Sequence, residues 1–115
     1  MIKINGKEYN LFFGMRFLEV IDANGQSDLT ENLGYLLTTA IYDKNLLSIA
    51  KLVKAGICTN EEILPQDIDS YLEKDATDKE LDKLVSFLKS TAKTCNATKK
   101  IMKQAEALAK ENGFA

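Results

Sequence analysis

Apolar residues recur along this chain with two different periods. Over residues 2–12, IKINGKEYNLF, Ile2 and Ile4 alternate with polar positions, and Tyr9 and Leu11 do the same beyond Asn5-Gly6. Alternation is the period of a half-buried strand, and Asn-Gly suits the two positive-φ positions of a type I′ turn. A β-hairpin is therefore expected. Two strands are marginal alone in water, so this ribbon must lie on apolar support from the helices that follow.

After Gly14 the period changes to three and four. Met15, Leu18 and Ile21, widened by Phe17 and Val20, predict a short helix ended by Asn24-Gly25. Asp28 and Glu31 have capping-box spacing ahead of Leu33, Leu36, Leu37, Ala40 and Ile41, a broad stripe that faces a core. The polar break Asp43-Lys44-Asn45 separates this helix from another, which carries Leu46, Ile49, Ala50, Leu52 and Val53 and ends at Gly56. So short a break makes the two helices fold back on each other or continue with a kink. A loop over 57–65 leads to Pro65, suited to the first position of a short helix whose apolar face is Ile68, Tyr71 and Leu72.

Thr77-Asp78-Lys79-Glu80 is a further capping box. Beyond it Leu81, Leu84, Leu88, Thr91, Cys95, Thr98, Met102, Ala105 and Ala109 step by three and four in an unbroken heptad frame. One continuous helix to Glu111 fits this pattern, and so do two helices broken near Asn96. The Thr91-Cys95-Thr98 middle is weakly apolar, which suggests shallow packing there. Asn112-Gly113 reads as a C-cap before a frayed tail. The fold class expected is mainly α, an N-terminal β-hairpin packed on a bundle of five to six helices with a long C-terminal helix. A single domain over 1–115 is expected, with the hairpin in 1–13, a helical core in 14–76 and the long helix or helix pair in 77–112.

Composition narrows the function. Hydrophobic residues make up 45% and charged residues 28% of 115, an ordinary globular balance that argues against wholesale disorder. The absence of histidine removes the commonest general base and metal ligand, and with it any Ser-His or Cys-His dyad. The glycines stand isolated at positions 6, 14, 25, 34, 56 and 113, so no phosphate-binding glycine loop exists. Cys58 and Cys95 form no CxxC pair and are too few for a disulfide scaffold; they read as small half-buried apolar side chains. The acids of 61–69 lack EF-hand spacing. The N-terminus carries no apolar signal segment, and the longest uncharged run, 11 residues between Glu31 and Asp43, is too short for a membrane helix. These features predict a cytoplasmic binding protein with no catalytic residues, no metal and no cofactor, and no membrane contact.

The near-neutral total, 15 basic against 17 acidic residues, hides a division. Residues 59–82 hold nine acids and two lysines, a local net of −7, whereas residues 89–111 hold six lysines and two acids, a local net of +4. The basic segment has no arginine to read bases and no aromatic ring to stack on them, which argues against nucleic acid. A small mobile-element regulator that binds nucleic acid through this helix is the alternative function. The heptad seam reads equally as core or as a surface for a partner or a second copy. Its candidate contact residues are Leu84, Leu88, Cys95, Met102 and Ala105, with Lys99 and Lys103 beside it.

The opening Ile4-Asn5-Gly6-Lys7-Glu8-Tyr9, followed by Leu11-x-Phe13-Gly14-Met15-Arg16-Phe17-Leu18, resembles the start of tail assembly chaperones from long-tailed phages and prophages of Gram-positive bacteria. The likeness continues through Leu46–Gly56 and through Pro65-Gln66-Asp67-Ile68-Asp69-Ser70-Tyr71-Leu72, and spans roughly 1–95. The Lys51–Gly56 stretch keeps only part of the family's aromatic-alanine-glycine pattern. The resemblance implies a non-catalytic helper that binds and solubilises the tape measure protein, helps recruit tail tube protein, and self-associates along its client.

Overall fold

The computed structural model describes residues 2–24, 29–57 and 63–111. The expected helix ends at Gly25, Asp28 and Asn112-Gly113, the acids Glu61 and Glu62, and Cys58 lie outside the described residues.

The hairpin forms as its sequence requires. Strands β1 (Ile2–Ile4) and β2 (Lys7–Tyr9) pair antiparallel with Ile2 opposite Tyr9 and Ile4 opposite Lys7. Asn5 and Gly6 both take positive φ, 53° and 83°, as the type I′ turn demands. Ile2, Ile4 and Tyr9 are buried, while Lys3, Lys7 and Glu8 face out. The chain then runs without regular secondary structure to a bend at Gly14, with the Phe12 N–H bonded to the Gly56 carbonyl at 3.1 Å. That close approach depends on Gly56, because a methyl group there would overlap the Leu11 side chain and press on the Phe13 ring.

Among the described residues six α-helices follow: α1 (Met15–Asn24), α2 (Leu29–Ile41), α3 (Leu46–Gly56), α4 (Pro65–Ser70), α5 (Asp78–Thr94) and α6 (Lys99–Glu111). Helix α4 runs into a π-helical turn, Tyr71–Asp75. Helices α2 and α3 fold back on each other. Lys44 turns the chain with a φ of 53°, the Asn45 side chain accepts the Ser48 N–H at 3.1 Å, and the Thr39 and Ser48 hydroxyls share a hydrogen bond at 2.6 Å. The α2 stripe Leu33, Leu36, Leu37, Ala40 and Ile41 is buried throughout. Helix α1 packs on α3, and α5 and α6 pack on α2. Pro65 opens α4 as expected, and Thr77 caps α5 through reciprocal bonds with Glu80.

The long heptad segment is a helix pair, broken at 95–98. Asn96 lies inside the break. The Cys95 carbonyl instead caps α6, accepting the Thr98 and Lys99 N–H groups at 3.1 and 2.9 Å. A continuous helix would spend the Ala92 carbonyl on the Asn96 N–H; the break gives it to the Thr98 hydroxyl at 2.8 Å. Because that bond satisfies the hydroxyl, Thr98 is fully buried, and Thr91 is buried as well. Thr91 and Thr98 are thus packed more deeply than their composition suggested, while Cys95 between them is half-buried.

Helix α1 differs from the pattern read from sequence. Its core face is Phe17 and Ile21, continued backwards by Phe13, and Met15 points outward with 72% of its surface exposed. Phe13 and Phe17 stack with centroids 4.2 Å apart and planes inclined by 25°, which fixes the rotation of α1 and turns Met15 away.

Candidate partner-binding surface

The corner between the hairpin and α1 exposes apolar surface. Phe13 is fully buried and Leu11 half-buried, whereas 68% of Phe12 between them faces solvent. Its ring lies over Gly14, where a methyl group would overlap it. Met15, one residue into α1, stands beside it. The two residues line, with Leu18 of α1, a groove of about 760 Å³ that runs to the α5–α6 elbow, where Thr94 and Cys95 line it. Cys95 is a free, half-buried thiol.

The candidate contact residues divide between core and surface. Leu84 and Leu88 of α5 and Met102 and Ala105 of α6 are 7%, 0%, 0% and 3% exposed, and all four belong to the intramolecular core. The seam therefore joins α5 and α6 to the protein's own α2 and α3. Cys95 reaches the apolar groove. Lys99 and Lys103 are exposed on the outer face of α6, beside Lys93, Glu106, Ala107 and Lys110. Phe12 was not singled out by sequence reasoning, and Met15 was read as part of the apolar face of α1. Neither the hairpin alternation nor the helical spacing marks which of the adjacent Phe12 and Phe13 packs inward.

Local electrostatics organise structure rather than chemistry. Lys93 binds Glu106 at 3.2 Å and holds its carboxyl below the usual range. Tyr71 is pushed up to about 12, first by burial and then by its hydroxyl bond to Glu80 at 2.8 Å. Lys89 sits 5.5 Å from the centre of the Tyr42 ring. Among the described residues no cluster of three acids or cysteines could hold a metal, and no helix is long and apolar enough to cross a membrane.

A family model described as phage tail assembly chaperone protein matches residues 1–106. It takes in the hairpin, the Phe12–Met15 corner and most of α6. No curated protein and no solved structure matches the chain.

Proposed function

Because this chain belongs to the phage tail assembly chaperone family, we propose that it works in the host cytoplasm by binding protein, with no chemistry of its own. Its client is the tape measure protein, whose apolar helical surface it covers until the tail tube protein is recruited around it. Unassembled, such a helical rod exposes stripes that aggregate. The observation that carries this reading is the corner where Phe12 and Met15 stand exposed over a groove of about 760 Å³. A client helix can place successive apolar side chains into such a groove and lie against the Phe12 ring. Of the candidate contact residues, Cys95 contributes to the groove, and Lys99 and Lys103 flank the elbow. Leu84, Leu88, Met102 and Ala105 belong to the core that holds α5 and α6 in place.

The test is co-expression with the tape measure protein. The wild-type chain raises the soluble fraction of the client. The double variant Phe12→Asp, Met15→Asp loses that effect while melting at the wild-type temperature, because both side chains already face water. A client that stays insoluble with the wild-type chain overturns the reading.

A further inference from the structure

Lys99, Lys103 and Lys110 stand on one exposed face of α6 at positions i, i+4 and i+11. At 3.6 residues per turn the three fall within about 40° of one another, in a line roughly 16 Å long. With Lys93, Glu106 and Ala107 they line a shallow trough of about 470 Å³. Glu106 is ion-paired with Lys93 and also feels the charge of Lys110, which leaves Lys99 and Lys103 as the cations it does not address. Among the described residues no acid lies within ion-pair distance of Lys99, Lys103 or Lys110. Like charges one turn apart repel, and facing carboxylates relieve that repulsion. The lysine stems and Ala107 also give the trough an apolar floor.

We propose that this trough docks an acidic amphipathic helix of the client, with carboxylates at i, i+4 and i+11 set against Lys99, Lys103 and Lys110. The inference rests on the reading of the chain as a chaperone of a helical protein, and it names the chemistry of the segment taken. Nucleic acid fits less well, because residues 89–111 hold neither an arginine nor an aromatic ring.

The experiment measures fluorescence anisotropy of three probes on the full chain. They are a designed alanine–leucine helix with glutamates at i, i+4 and i+11, its glutamine twin, and a short DNA duplex. The glutamate helix binds, the glutamine twin does not, and raising the salt to about 0.3 M weakens binding. The Lys99→Glu, Lys103→Glu variant loses at least roughly tenfold in affinity, and a lysine-bearing peptide recovers part of it, the signature of direct pairing. The milder Lys99→Gln, Lys103→Gln variant loses less, and guards against a folding defect. Equal binding by the glutamine twin, undiminished binding by the reversed variant, or tighter binding of the duplex overturns the proposal. Full client solubilisation by the reversed variant overturns the trough alone, whereas failure of the wild-type chain to solubilise overturns the chaperone reading.

Discussion

Replacing Leu88 by alanine separates the two roles its heptad position could play. Leu88 lies fully buried in the core that α5 shares with α2 and α6. The substitution removes three carbons, and at about 0.8 kcal/mol each the transfer contribution is roughly 2.4 kcal/mol. The cavity left among packed helices adds to this, so a loss of about 2.5–5 kcal/mol is expected. For 115 residues the unfolding entropy is about 240 cal/mol/K, which translates each kcal/mol into about 4 °C and the whole loss into roughly 10–20 °C. Leu108→Ala is the control, because 56% of that side chain is exposed and the change is expected within about 0.5 kcal/mol. Urea and thermal unfolding followed by circular dichroism give both values. A loss below about 1 kcal/mol at Leu88, or lost client binding at unchanged stability, would refute the assignment of the seam to the protein's own core.

Three further substitutions test individual joints. Gly56→Ala pushes a methyl group against Leu11 and Phe13 and is expected to lower stability in urea by about 1–3 kcal/mol; a neutral result would mean the hairpin segment does not rest on α3. Thr98→Val keeps the shape but leaves the buried Ala92 carbonyl without its hydroxyl donor, so it costs about 1–3 kcal/mol, whereas Thr98→Ser keeps the bond and costs less. If the two variants unfold alike, the hydroxyl bond is not what holds the elbow. Hydrogen bonds from Tyr71 and then from Thr77 hold the Glu80 carboxyl below its usual 4.5. The lower folded pKa means a contribution present above pH 4.5 and lost as the pH falls through the depressed value. Glu80→Gln should flatten that acid limb in urea melts across pH, and an unchanged limb would remove Glu80 from it.

Much of this fold could be read from local pattern. Asn5-Gly6 fixed the hairpin because few residue pairs accept positive φ twice, and Pro65 and Thr77 marked helix starts through backbone chemistry that acts within one turn. The α2 stripe was legible because five apolar residues point one way. Where tertiary contacts decide, periodicity was less informative. Met15 and Phe17 both fit a helical apolar face, and only the stacking of Phe17 on Phe13 turns Met15 outward. The heptad frame could not show what covers it, since a stripe facing its own domain and one facing a partner have the same spacing. The break at 95–98 also lacks a glycine or proline signal, because it is held by the Thr98 hydroxyl folding back on Ala92. The surface corner was missed for a related reason. Phe12 belongs to no repeating stripe, and its exposure beside the buried Phe13 is settled by tertiary packing.

Hydrogen–deuterium exchange of the chain alone and in complex with the tape measure protein is the most direct measurement. Slowed exchange at residues 11–18 and 91–97, the two walls of the groove, together with the trough-bearing helix α6, is the expected result. Absence of a complex, or a complex whose protection falls wholly outside those two segments, would contradict the claim that the Phe12–Met15 corner covers the client.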